Sequence, residues 1–64
     1  MHFNLYQDKN KKWCWNFCVV DEIVMAASTI PYDDRMEAVA SISLMKGMAL
    51  AAKVYDKVEK RWLN

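Results

Sequence analysis

The chain has one glycine, Gly47, one proline, Pro31, and one histidine, His2, in 64 residues. A single glycine excludes a Gly-rich phosphate-binding loop, which needs several positions where backbone approaches the ligand closely. One histidine and two cysteines, Cys14 and Cys18, fall short of the four ligands of a structural zinc site. A cysteine nucleophile would have only His2 as its base, with no third group to orient it. Nine basic and eight acidic residues leave a net charge of +1, far from the basic excess of most nucleic-acid binders and from the acidity of a DNA mimic. The longest apolar stretch, 36–52, is interrupted by Glu37 and Lys46 and weakened by Gly47. It falls short of the ~20 apolar residues a membrane span needs. The opening Met1-His2-Phe3-Asn4 lacks the basic segment and apolar core of a signal peptide. A soluble, cytoplasmic protein without cofactor or metal is expected, and nothing points to an enzyme.

Apolar side chains, by contrast, are abundant. Hydrophobic residues make up 55% of the chain, with three Trp, three Tyr, two Phe and five Met. That content excludes disorder. A chain of this size nevertheless buries only about 60% of the surface its unfolded form exposes. Below roughly 70–80 residues, a core without disulfide or metal usually gains stability by association. One domain spanning 1–64 is expected, with a second copy as the natural place to bury the remaining apolar surface.

Periodicity supplies the elements. Phe3-Asn4-Leu5-Tyr6 alternates as a half-buried strand does, and Asp8-Lys9-Asn10 is a turn in which Asn10 tolerates a left-handed backbone. In Trp13–Val20 the residues Trp13, Trp15, Phe17 and Val19 share one face, and Cys14, Asn16 and Cys18 share the other. On such a strand Cys14 and Cys18 stand about 13 Å apart, too far to pair with each other. Asp21-Glu22 separates this strand from Ile23–Ala27 and reads as a hairpin turn. Ser28–Asp33, with Pro31, is a connection. Asp34 is placed to cap a helix, with Glu37 completing a capping box. Ala38, Val39, Ile42, Met45 and Ala49 recur at helical spacing as a core stripe, opposite Arg35, Glu37, Ser41 and Ser43. The helix either ends at Gly47 or runs on towards Tyr55. Lys53–Val58 then alternates as a closing strand.

The fold class is therefore α+β: a three-stranded antiparallel meander, one helix packed on it, and a short C-terminal strand. These residues resemble the YegP-like family of small proteins of unknown function. The resemblance is carried by Phe3–Asp8, Lys12–Phe17, Met25-Ala26-Ala27-Ser28, Tyr32, Ala38–Lys46 and Ala52–Asp56. It departs from the family at Asp21-Glu22, where Asn-Gly is usual, at Asn10-Lys11, where glycine is common, and at Gly47–Leu50. It implies a β-β-β-α-β unit that forms a homodimer, with Val54–Lys60 crossing to the partner, and no assigned reaction.

Two functional readings follow. The first is a non-enzymatic dimeric protein-interaction module, a regulator or inhibitor of another protein, with Val54, Tyr55, Val58, Met45 and Met48 at the dimer contact. The second is a nucleic-acid binder using Lys9, Lys11 and Lys12 in the early loop with Lys57, Lys60 and Arg61 near the end. Trp13 and Trp15 would stack on bases only if their strand face were open. Packing under the helix is the expectation.

Overall fold

The computed structural model describes residues 1–63. Three strands, β1 (His2–Gln7), β2 (Trp13–Cys18) and β3 (Val24–Ala27), form an antiparallel sheet in the order β1-β2-β3. One helix, α1 (Arg35–Met48), packs on β2 and β1. A separate two-stranded sheet of β4 (Tyr55–Asp56) and β5 (Arg61–Trp62) ends the described chain.

The β1–β2 ladder runs in unbroken register from His2 opposite Cys18 to Gln7 opposite Trp13. Directly opposed residues share a face, so Phe3, Leu5, Trp15 and Phe17 gather towards α1. Phe3 packs edge-on against Trp15 with ring centroids 5.5 Å apart and tilts against Phe17 at 4.8 Å. Trp15 is 5% exposed and Ala38 of α1 is fully buried. The stacking reading of Trp15 fails here, because its ring lies inside the core.

The hairpin turn at Asp21-Glu22 forms as a 3-10 turn over Val20–Glu22, with both residues in the left-handed region (φ 58° and 63°). Neither is glycine, so the turn carries local strain. β3 starts at Val24, one residue later than the alternation suggests, because Ile23 closes the 3-10 turn, and a bulge between Phe17 and Cys18 shifts the β2–β3 register. In the first turn the left-handed residue is Lys11 (φ 61°), not Asn10. The Asp8 carboxylate holds this turn, accepting from the backbone N–H of Asn10 at 2.9 Å and of Lys12 at 3.0 Å.

Asp34 caps α1, accepting from Met36 N–H at 3.1 Å, while Glu37 reaches back to Asp34 N–H at 3.2 Å. Gly47 does not end the helix. It lies inside it without a positive φ, and α1 runs to Met48 before a 3-10 turn over Ala49–Ala51. Nothing lies within 4 Å of where a Gly47 side chain would start, so this face of the helix is open.

Two expectations about α1 need correction. Ser41 faces the sheet: its hydroxyl oxygen accepts the Trp15 indole N–H at 2.7 Å and donates to the Ala38 carbonyl at 2.8 Å. A short polar side chain suits the inner face because a buried indole N–H needs an acceptor. The core stripe also fades along the helix. Val39 and Ile42 are half-buried, whereas Met45 and Ala49 are exposed.

The closing strand differs most from expectation. Only Tyr55–Asp56 is extended, and the chain then turns back and pairs with Arg61–Trp62. The Asp56 carboxylate accepts from Val58 N–H at 2.9 Å and Glu59 N–H at 3.0 Å, which bends the chain where alternation predicted continuation. Lys60 completes the turn at φ 57°.

Candidate interaction surface

The C-terminal half of α1 does not seal against the sheet. Between them lies an apolar groove of about 470 Å³, walled by Met1, Phe3, Phe17, Met45, Ala49 and Leu50 among others, with Lys46 its one charged wall residue. Around the helix, Leu44, Met48 and Ala52 extend the apolar strip past Met45 and Ala49 as a second groove of about 360 Å³. Leu50 is fully exposed.

Beyond this strip, the β4–β5 hairpin packs on itself and makes no comparably extensive contact with the first sheet or α1. Tyr55 and Trp62 meet edge-to-face across it at 5.0 Å, a geometry aromatic pairs favour. Leu63 N–H donates to the Val54 carbonyl at 2.9 Å and extends the ladder. Trp62 is 63% exposed and Val58, at the tip, 90%. Of the expected dimer contacts, Met45 and Met48 lie on the helix strip, while Val54, Tyr55 and Val58 lie in or beside the hairpin, and all five are exposed.

The structure divides the six basic residues of the nucleic-acid reading between two turns of two different sheets. Lys9, Lys11 and Lys12 belong to the β1–β2 turn, and Lys57, Lys60 and Arg61 to the β4–β5 hairpin. Lys12 is engaged with Asp33 in an ion pair. The hydrogen bond and charge of that carboxylate raise the Lys12 pKa above the ordinary lysine value. The same region is tied through the backbone, where Trp13 and Tyr32 exchange N–H···O bonds of 2.7 and 2.8 Å.

The sheet face away from α1 carries polar chemistry. Cys18 is 2% exposed. Its sulfur accepts from Asn4 Nδ2 at 3.3 Å and donates to Asn16 Oδ1 at 3.6 Å, and Asn4 also donates to Asn16 at 2.9 Å. His2 stands opposite Cys18 in the ladder but is exposed. The thiol is packed and hydrogen-bonded, so an external substrate has no approach to it. Cys14, half-buried on the same face, is likewise a free thiol.

No protein-family model, curated protein or solved structure matches the chain. Among the described residues, no helix is long and apolar enough to cross a membrane.

Proposed function

We propose that the protein is a non-enzymatic protein-interaction module that works as a homodimer, with its C-terminal segment, Val54–Lys60, reaching the second copy. The observation that carries this reading is surface area. The chain exposes 5486 Å², whereas a compact chain of 7.5 kDa exposes about 4,200 Å². Its radius of gyration is 14.0 Å, against about 11 Å for a compact chain of this length. The excess, about 1,200 Å² per copy, would sum over two copies to about 2,400 Å², within the range of obligate homodimers. The excess is rich in large apolar side chains, which an isolated chain gains by covering. The resemblance to the YegP-like family, which implies a dimer, points the same way. A regulator or inhibitor of another protein would act through surface that the dimer leaves open.

Sedimentation equilibrium at micromolar concentration tests the reading. The expected mass is that of two chains, and a stable folded monomer would overturn it.

One observation favours nucleic-acid binding as a second reading. The exposed Tyr55–Trp62 pair shares a hairpin with Lys57, Lys60 and Arg61, and exposed aromatics beside cations suit single strands. A salt titration against single-stranded DNA and RNA decides it. Binding near 50 mM salt that weakens steeply as salt rises would establish it, because such complexes release counterions. Absence of binding at that low salt removes it.

A further inference from the structure

We infer that the groove at the C-terminal end of α1 is filled by the β4–β5 hairpin of a second copy, so that two chains exchange folded hairpins rather than single strands. The inference rests on the dimeric reading above and adds the place and manner of contact.

Three observations carry it. First, the hairpin's backbone is already paired, Tyr55 with Trp62 and Asp56 with Arg61. Donating a single strand to another sheet would break that ladder. What the hairpin offers is side chains: the Tyr55–Trp62 pair, Val58 and Leu63, all exposed. The groove asks for side chains, because its walls, Phe3, Phe17, Met45 and Leu50 among them, are almost wholly apolar.

Second, the hairpin makes no extensive contact with α1 or the first sheet of its own chain. Ala52 N–H donates to the carbonyls of Met48 at 3.1 Å and Ala49 at 3.3 Å, which closes the last turn and fixes the chain's exit from the helix. Only Lys53 and Val54 then separate this anchored residue from β4. Two residues span at most roughly 7 Å, a short tether between the anchored helix end and a hairpin that has no extensive contact with its own α1 or first sheet.

Third, groove and plug on one chain are what a two-fold dimer needs. An isologous contact uses each patch twice, so each hairpin enters the other copy's groove. An isolated two-stranded hairpin is at best marginally stable in water, and docking supplies the packing it lacks. The excess surface, about 2,400 Å² over two copies, is of the size that obligate homodimers bury. Methionines at the groove suit the contact, since a flexible thioether adapts to an irregular aromatic surface.

The test is a pair of charge variants in the full chain, Val58→Glu on the hairpin and Met45→Lys on the groove, followed by sedimentation equilibrium and far-ultraviolet circular dichroism. Both residues are exposed within one chain, so the spectrum of each variant should match that of the parent. Each variant alone should weaken self-association at least tenfold. Mixed, they should form a heterodimer, which carries one unaltered junction and one Glu–Lys junction in place of two damaged ones. Failure of the mixture to associate, or dimers of both variants as strong as the parent's, would overturn the hairpin exchange while leaving the dimer reading intact. Loss of the parent-like dimer on Met25→Glu in β3, with the other two variants unaffected, would move the contact to the sheet edge and also overturn it. A monomeric parent would remove both readings together.

Discussion

The two hairpins that begin and end the described chain are built by the same local chemistry and meet different fates. Each turn opens on an aspartate, Asp8 or Asp56, whose carboxylate accepts two backbone N–H groups. Each closes on a left-handed lysine, Lys11 or Lys60, at φ 61° or 57°. The first hairpin has six-residue strands and a helix over its aromatic face, and it holds the core. The second has two-residue strands and leaves its aromatic pair in the open. Turn chemistry thus suffices to reverse a chain, but burial decides whether the reversal is stable. The second hairpin has the form of the first without its cover, and a second copy is the cover proposed for it.

The largest effect should come from removing the aromatic centre of each hairpin in turn. Trp15→Ala empties a site that is 5% exposed and should cost about 3–5 kcal/mol in urea denaturation, as large-to-small core changes do. Trp62→Ala should cost the folded chain less than about 1 kcal/mol, as an exposed substitution does, yet weaken self-association. Equal losses of chain stability from both would break the contrast and place Trp62 in a core of its own.

Next in size is Ser41→Ala. It leaves the Trp15 indole N–H, bonded at 2.7 Å in the parent, without an acceptor under the helix. A buried donor left unpaired costs about 1–3 kcal/mol, so the urea midpoint should fall with an unchanged slope. The double variant with Trp15→Phe should show less additional loss from Ser41→Ala, because the donor is gone. Full additivity would mean that the hydroxyl acts only through the Ala38 carbonyl.

Ser41 also marks the limit of what periodicity can reveal. The meander, the α1 capping box and the packing of Trp15 were legible because each rests on local spacing: alternation in β2, and Asp34 three residues before Glu37. Ser41 was misplaced because hydropathy sorts serine to the solvent face, and its partner is a donor 26 residues away. The extra strand β5 was missed for a related reason. Lys53–Val58 alternates well enough to suggest one strand, and the bend depends on the Asp56 side chain, which hydropathy does not weigh. Asp56 ahead of the charge-rich Lys57-Val58-Glu59-Lys60 could have signalled it. The groove was the least legible feature. Met45 and Ala49 belong to the helical stripe, and only the open groove between α1 and the sheet shows that the stripe outruns the surface available to cover it.

The smallest and sharpest comparison uses the two left-handed lysines. A non-glycine residue there costs about 1–2 kcal/mol, and glycine removes that cost while adding about 0.5–1 kcal/mol of unfolded-state entropy. The net gain should be about 0.5 kcal/mol at either turn. At Lys11 the turn belongs to the cooperative core, so Lys11→Gly should raise the urea midpoint. At Lys60 the turn is folded apart from that core, so Lys60→Gly should leave the midpoint of a dilute sample unchanged. It should instead tighten self-association about twofold, because more chains would present a formed hairpin for docking. A midpoint that rises equally in both variants would join the second hairpin to the cooperative unit of a single chain and end the contrast between them.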